Sequence, residues 1–244
     1  DVAVTGVQTC ALPICPACRD DALNAPPANA HWHRVPPLRG THVALEPLSM
    51  AHVPALRQAL GEGELSRLWY ANVPAPDAVE RYVVAALEAQ AQGSALPFVV
   101  ADSAGEVVGC TRYYALDAGV PRLNIGYTWY QRRVQRTGLN TEAKLLLLRH
   151  AFEAMGCIGV GFETSWFNQA SRAAIARLGA RQDGVLRNHR RHADGTPRDT
   201  VVFSIIDSEW PALRAAYQRW LEPGNFDAGG GQRQPLAALR GQGA

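Results

Sequence analysis

The 244-residue sequence lacks features that would place it in several large classes of protein. No run approaches the roughly 18 consecutive apolar residues that a membrane-spanning helix needs, so we predict no role in a membrane. The net charge is only +2, which is too small to indicate binding to nucleic acid. Because 47% of the residues are hydrophobic, the chain can bury one sizeable core.

Cysteine is scarce, and its five occurrences make an odd number. Cys10, Cys15 and Cys18 lie close together near the start, whereas Cys110 and Cys157 stand in apolar surroundings typical of buried free thiols. This distribution favours a reducing cytoplasm over a disulfide scaffold. The C-x-x-C pair at positions 15 and 18 lacks a second, correctly spaced pair of ligands, so no metal is predicted.

The two ends of the sequence differ in character from its middle. Residues 5–14 (TGVQTCALPI) resemble translated sequencing-adapter sequence, and we expect residues 1–34 to be a disordered or artefactual leader. Residues 223–244 are rich in Gly and Gln and are predicted to form a disordered tail. A single domain is therefore expected over residues 35–222.

The apolar pattern of this middle part predicts an α+β domain with a mixed sheet. A short turn between two apolar strands predicts an antiparallel hairpin, and one strand on each side of the longest helix predicts a parallel pair with a right-handed crossover. This order differs from that of a Rossmann fold. The predicted strands are residues 43–48, 98–101, 107–114, 123–130, 159–163, 180–187 and 199–205. The predicted helices are residues 50–60, 76–92, 139–155, 168–179 and 211–221.

Residues 131–156 combine the features of an anion-binding site. They follow a predicted strand, and a short loop with three arginines, among them Arg133 and Arg136, leads through Thr137 and Gly138 into an apolar helix. The first backbone N–H groups of a helix lack partners within the helix, and the helix dipole adds about half a positive charge there. A diphosphate-bearing cofactor is therefore the predicted ligand.

Two common nucleotide-binding motifs are excluded by the residues of this stretch. A Walker loop needs a lysine directly after its last glycine, but no lysine follows Gly138, and Lys144 lies six residues further along the helix. A Rossmann fingerprint needs G-x-G-x-x-G after the first strand, and that pattern is missing.

The loop Arg133-Val-Gln-Arg136-Thr-Gly138 is similar to the acyl-CoA loop of the GNAT acetyltransferase superfamily, (Gln/Arg)-x-x-Gly-x-(Gly/Ala), with Arg136 in place of the first glycine. The resemblance extends over roughly residues 38–220 and points to the RimJ/RimL-type branch. It rests further on Ile125-Gly126-Tyr127, Thr141-Glu142-Ala143, Asn168-Gln-Ala-Ser171 and Leu178-Gly179-Ala180.

This resemblance implies a GNAT-like fold and an N-acetyltransferase that uses acetyl-CoA as co-substrate. Pantetheine is then expected between two splayed strands, with the diphosphate on the first amides of the long helix. The acetyl group passes directly to a primary amine, such as a peptide N-terminus or a small amine. The cofactor-binding residues implied in this way are Thr128, Trp129, Tyr130, Arg133, Arg136, Thr137, Gly138, Leu139, Asn140 and Asn168.

Two catalytic residues follow from the same resemblance, each with a structural alternative. Ser171 is the expected proton donor to the leaving thiolate, although a serine near a helix start also commonly bonds the backbone. Glu163 is the candidate base, acting through water, and it could equally be an exposed carboxylate at a strand end. Asn124 occupies a position where an acid would have served as the base.

Two other functions remain open on the sequence alone. One is a non-catalytic acyl-CoA-binding regulatory module on the same fold. The other is an RNA- or ribosome-associated binder that uses the Arg/His-rich residues 187–198, which could also be a solvated hairpin. A monomer or a homodimer is expected.

Overall fold

A computed structural model describes residues 30–61, 68–71, 73–135, 137–227 and 232–240. Within these ranges, none of the helices has the length and apolarity needed to cross a membrane. The strands are β1 (Leu38–Arg39), β2 (Val43–Pro47), β3 (Ala95–Asp102), β4 (Val107–Asp117), β5 (Arg122–Tyr130), β6 (Gly159–Ser165), β7 (Arg181–Arg191) and β8 (Pro197–Ile206). The helices are α1 (Val53–Gly61), α2 (Val79–Ala91), α3 (Gly138–Arg149), α4 (Gln169–Arg177), α5 (Trp210–Leu221) and α6 (Leu236–Leu239).

The strands form one mixed sheet in the order β1-β2-β3-β4-β5-β6-β8-β7. Neighbouring strands are antiparallel, except that β5 and β6 are parallel. The predicted α+β class, the hairpin of β3 and β4, and the parallel pair on either side of α3 are confirmed. A crossover helix is what allows two strands joined in sequence to run parallel.

Helices cover both faces of the sheet. On one face, α3 and α5 pack on residues such as Val201 and Phe203 in a common core. On the other face, α1 and α2 pack on Val99, Cys110 and Trp129. The alternation of side chains along each strand supplies both cores, because successive residues point to opposite faces. The sheet is thus the middle layer of the domain.

The structure differs from the sequence-based expectation near both ends of the domain. Trp32, which falls within the predicted leader, is buried in the core. In the predicted tail, α6 buries Leu236 and Leu239, and the buried Asn225 amide bonds the carbonyls of Trp220 and Gln234. These buried residues are too few and too widely spaced to produce a periodic apolar pattern in the sequence.

Candidate functional site

The parallel strands β5 and β6 pair only at one end and then separate. Pairing joins Arg122–Asn124 to Gly159–Gly161 and goes no further. The Asn124 side chain lies at the point of separation, and Gly161 admits it, since a Cβ there would overlap the Asn124 Oδ1. Beyond this point, the facing edges of the two strands have no strand between them, and an extended ligand can bond to such edges.

A bulge in β5 lies directly beside this opening. The register with β4 shifts between Cys110 and Arg112, and Tyr127 has a φ of 51°. Positive φ is uncommon for a bulky residue, and bulges frequently re-aim side chains next to active sites. After the bulge, the Thr128 side chain meets Lys144 of α3. Gly126 is required here because a Cβ would lie 2.6 Å from the Tyr114 ring.

A cleft of about 280 Å³ occupies the opening between the strands. From α3 and α4 it is lined by Asn140, Lys144 and Ser171, and from the strands by Glu163 and Arg198, among others. These two groups belong to different faces of the sheet, as the strand pairing shows. The cleft therefore passes through the sheet rather than lying on one side of it.

The pairing of β6 with β8 fixes the face on which the strand-borne groups lie. Glu163 is paired with Val202, and cross-strand partners point to the same face. Val201 and Phe203, their neighbours in sequence, point the other way into the core under α3. Glu163 therefore faces the α1/α2 side. Arg198, four residues before Val202, lies on the same side.

A second pocket adjoins the cleft at the start of α3. Thr137, Asn140 and Arg177 line it, and none of the described residues around it is acidic. Thr137 caps the helix, since its hydroxyl accepts from Leu139 N at 3.3 Å. A helix N-terminus beside an arginine favours a bound anion. Sequence reasoning missed Arg177, because only the fold brings α4 beside the start of α3.

The structure brings together several, but not all, of the predicted cofactor-binding residues. Thr128, Tyr130, Asn140 and Asn168 line the cleft, and Thr137 lines the second pocket. The side chains of Trp129 and Leu139 are buried in the two cores, so only the backbone groups of these residues, which are the groups expected to bind the cofactor, are left for that role. Gly138 packs close to His42. Arg136 lies outside the described residues.

The structure does not bring Arg133 to the cleft. Its guanidinium forms ion pairs with Asp102 at 2.8 Å and Glu106 at 2.7 Å, both at the turn between β3 and β4. Its Nε also donates to Gln131 Oε1. Burial raises the pKa of Asp102, but the Arg133 guanidinium and the backbone N–H groups of Glu106 and Ala104 outweigh it and hold that pKa below its usual value. Arg133 fastens the loop to the hairpin.

Ser171 and Asn168 lie together at the start of α4. Asn168 is the N-cap, and its Oδ1 accepts from Ser171 N at 3.0 Å. Both side chains line the cleft. No hydrogen bond to the Ser171 hydroxyl is present within the described residues, although the alternative interpretation expects one to the backbone. That hydroxyl is therefore available to a ligand.

Glu163 lies in the wall of the cleft, and its side chain is only 14% exposed. Arg190 of β7 forms an ion pair with it at 2.9 Å, and Asn124 Nδ2 approaches its other oxygen at 3.4 Å. The two neighbours hold the carboxylate in one orientation. The sequence-based alternative of an exposed strand-end carboxylate does not describe this environment.

Lys144 is the one lysine of the whole sequence, and it is buried in the cleft. Its Nζ donates to Thr128 Oγ1 at 2.9 Å, and this hydroxyl is also bonded to Thr111. Burial lowers the pKa of Lys144 to about 7. In the sequence analysis, Lys144 served only to exclude a Walker loop, because it lies too far along the helix. The available signal was a lone lysine directly before the apolar run of Leu145 to Leu148.

We expect Lys144→Met to stabilise the protein at pH 7. The folded-state pKa lies below the ordinary value of 10.5, so the unfolded chain binds the proton more readily, and stability rises with pH between about 7 and 10.5. Removing the amine should add on the order of 1–3 kcal/mol, or several degrees in Tm, with a gain that shrinks as the pH approaches 10.5.

Thermal unfolding between pH 7 and 10 measures this effect. Arg149→Met is the control, because Arg149 is an exposed cation on the same helix. If the Tm of both variants changed with pH in the same way, the lowered pKa of the buried Lys144 amine would be contradicted.

Aromatic side chains border the cleft on the side of the β7–β8 hairpin. The Trp69 ring lies 4.7 Å from His192 and 5.2 Å from Phe167. His192 approaches Ser165, which lines the cleft together with Tyr70. Trp69 and Phe167 are exposed. This rim can contact an apolar part of a ligand.

The described cysteines, Cys110 and Cys157, are buried and free, as predicted for them. Burial raises the pKa of each thiol to about 12. A thiol must ionise to act as a nucleophile, so neither is suited to form an acyl-enzyme. No group of side chains able to hold a metal ion occurs in the part of the chain that the structure describes.

Comparisons with known proteins agree with this geometry. "Uncharacterized N-acetyltransferase YoaA" of Bacillus subtilis (strain 168) is 31% identical over 101 residues, covering 41% of this chain and 56% of that protein. The chain thus spans about half the length of the curated relatives it matches. A GCN5-related N-acetyltransferase from Brucella melitensis has a similar structure, with a TM-score of 0.78 and 31% identity over 85% of this chain and 95% of that one.

RimJ of Mycobacterium smegmatis, solved in complex with CoA-disulfide, shares the fold. Its TM-score is 0.64, and it is 23% identical over 80% of this chain and 96% of its own. The sequence model described as "Acetyltransferase (GNAT) domain" matches residues 42–181, which is more than half of the chain. The separated strands, the start of α3 and α4 all lie within that match. The chain belongs to the GNAT acetyltransferase family.

Proposed function

We propose that the protein is an N-acetyltransferase that transfers the acetyl group of acetyl-CoA directly to a primary amine. The observation that carries this proposal is the cleft through the sheet, where β5 and β6 separate. It opens toward the α3 N-terminus on one face and toward Glu163 on the other. Donor and acceptor can therefore reach the same point from opposite sides.

The residues present suit acetyl-CoA on the α3 side. The unpaired edges of β5 and β6 offer backbone groups to the amides of pantetheine, and Asn168 adds a polar side chain. The second pocket, with Arg177 and the first amides of α3, offers positive charge to the diphosphate. When bound, acetyl-CoA supplies an activated acetyl thioester.

On the α1/α2 side, Glu163 is the base in this proposal. An amine must lose a proton to become a nucleophile, and a carboxylate can take that proton directly or through one water. Asn124 and Arg190 orient the carboxylate. Ser171, whose hydroxyl lies on the other wall of the cleft, gives a hydrogen bond to the departing sulfur. The high pKa of both buried cysteines supports transfer without an acyl-enzyme.

The acceptor is proposed to be a peptide N-terminus or a small amine, as the likeness to the RimJ/RimL branch suggests. A non-catalytic acyl-CoA-binding module is less well supported, because a carboxylate lines the cleft. An RNA-binding role has less support too, because Arg198 of the basic hairpin is buried in the cleft wall and Arg190 is engaged in an ion pair with Glu163. Buried free thiols support a cytoplasmic location.

A melting-temperature measurement followed by a thiol-release assay tests the proposal. Millimolar acetyl-CoA should raise Tm by mass action, since it binds only the folded state. Thiol release from acetyl-CoA should then depend on added amine. If acetyl-CoA leaves the Tm of the folded protein unchanged, both the enzyme and the binding module are ruled out. A shift in Tm without amine-dependent release would favour the module.

A further inference from the structure

The acceptor side of the cleft contains a buried arginine that forms no ion pair with any of the described residues. Arg198 is only 7% exposed and lines the cleft. Its Nε has no hydrogen-bond partner, and no ion pair to its guanidinium is present in the described part of the chain. Burial and the neighbouring Arg190 lower the Arg198 pKa, against the opposing effect of the Glu163 carboxylate.

Arg112, the other buried arginine of this region, has neighbours that stabilise its positive charge. The Arg112 guanidinium lies 4.0 Å from the Tyr127 ring centroid and 5.0 Å from that of Tyr82. Two aromatic faces thus stabilise the cation. Arg198 has no such ring contact among the described residues. Buried charges in proteins are usually paired, so an unpaired one in a ligand cleft marks a position where the ligand supplies the counter-charge.

The charges around Arg198 indicate the sign of the missing partner. Arg190 is its cross-strand neighbour, and Glu163 is already paired with Arg190. These three groups therefore carry two positive charges and one negative charge. A ligand with one negative charge would neutralise the cluster, whereas a second cation would add to the repulsion.

The position of Arg198 assigns this charge to the acceptor rather than to the cofactor. Arg198 faces the α1/α2 side with Glu163, while the start of α3 and Arg177 lie on the other side. We propose that the acceptor carries a carboxylate close to its amine, and that Arg198 binds this carboxylate. This inference rests on the proposed function, and it narrows the acceptor to α-amino acids or peptides with an acidic residue next to the N-terminus.

Arginine suits this role because its planar guanidinium can donate two parallel hydrogen bonds to one carboxylate. The carboxylate would hold the acceptor in one orientation, with its amine turned toward Glu163. This contact also makes the enzyme discriminate between acceptors. An acceptor without a carboxylate leaves the buried Arg198 cation unpaired, and it is therefore disfavoured.

Matched acceptors test the inference. Glycine, alanine, serine and methionine are each compared with their amides, and Ser-Asp-NH₂ is compared with Ser-Asn-NH₂. We expect kcat/KM for the carboxylate-bearing member to exceed that of its neutral partner by about 10- to 100-fold. A preference among free amino acids indicates a small-molecule acceptor, and a preference confined to the peptides indicates a protein N-terminus.

Arg198→Met should bring this ratio close to one, because the acceptor carboxylate loses the guanidinium that binds it. Arg187→Met is the matched control, since Arg187 is an exposed arginine on the same hairpin, and it should retain the preference. Equal rates for charged and neutral acceptors in the unmodified protein would overturn the inference. So would a preference that survives in Arg198→Met.

A binding measurement separates failure of this inference from failure of the proposed function. N-acetylglycine carries the carboxylate of a product, and N-acetylglycinamide lacks it. With CoA present, N-acetylglycine should raise the Tm of the unmodified protein but not that of Arg198→Met. N-acetylglycinamide should raise the Tm of neither protein. Equal shifts with both compounds would overturn the inference even if no amine is acetylated. Absence of turnover with every amine would count against the proposed function alone.

Discussion

Ala174→Trp is expected to abolish acetyl-CoA binding and to lower turnover by at least about 100-fold. Ala174 lies on α4, where it lines both the cleft between the strands and the pocket at the start of α3. An indole at this position would fill the passage between the two. The cleft measures only about 280 Å³, so little room would remain for pantetheine. Calorimetric titration with acetyl-CoA measures the loss.

The matched control is Ala173→Trp, one position earlier on the same helix. Ala173 is exposed and lines neither pocket. This variant should bind acetyl-CoA with the same affinity as the unmodified protein, and both variants should remain folded by circular dichroism. Tight binding by a folded Ala174→Trp protein would place the cofactor elsewhere.

Glu163→Gln is expected to lower kcat by about 10²–10³-fold while changing Kd for acetyl-CoA less than threefold, because general-base catalysis commonly contributes a factor of this size. Glutamine keeps the shape of the side chain, but it cannot take a proton from the amine. The loss should appear in kcat because the carboxylate acts on the reacting amine and not on the cofactor. Steady-state rates at saturating acetyl-CoA measure it.

Glu46→Gln provides the control for this change. Glu46 is also a strand carboxylate paired with an arginine, at 2.7 Å from Arg39, but it lies outside the cleft. Its replacement should leave kcat unaltered. A Glu163→Gln enzyme with kcat within threefold of the unmodified value would remove Glu163 from the mechanism, and another group would have to accept the proton.

The sequence was sufficient to predict the elements that carry a periodic apolar pattern. The parallel pair around α3 and the hairpin of β3 and β4 follow from local patterns and short connections. Two elements were missed for a physical reason: β1 has two residues and α6 has four, which is too short for any period to appear. Leu236 and Leu239 are nevertheless buried, because α5 offers them a surface that only the fold creates.

The polar residues of the site were harder to predict because their roles depend on which elements meet. Arg133 matches the loop motif in sequence, yet acids of the β3–β4 turn hold its guanidinium. Arg198 looks like one more basic residue of an exposed hairpin, and only the pairing of β8 with β6 turns it into the cleft. Contacts between residues far apart in sequence leave no local pattern.

The most direct test of the account is a single-turnover reaction with acetyl-CoA labelled in its acetyl group. Protein in excess over acetyl-CoA is mixed with an accepted amine, and the products are followed by mass spectrometry. Direct transfer across the cleft predicts that the label appears only on the amine, at the rate of thiol release, and never on the protein. Label that appears first on Lys144, a cysteine or any other protein group, and then passes to the amine, would contradict it.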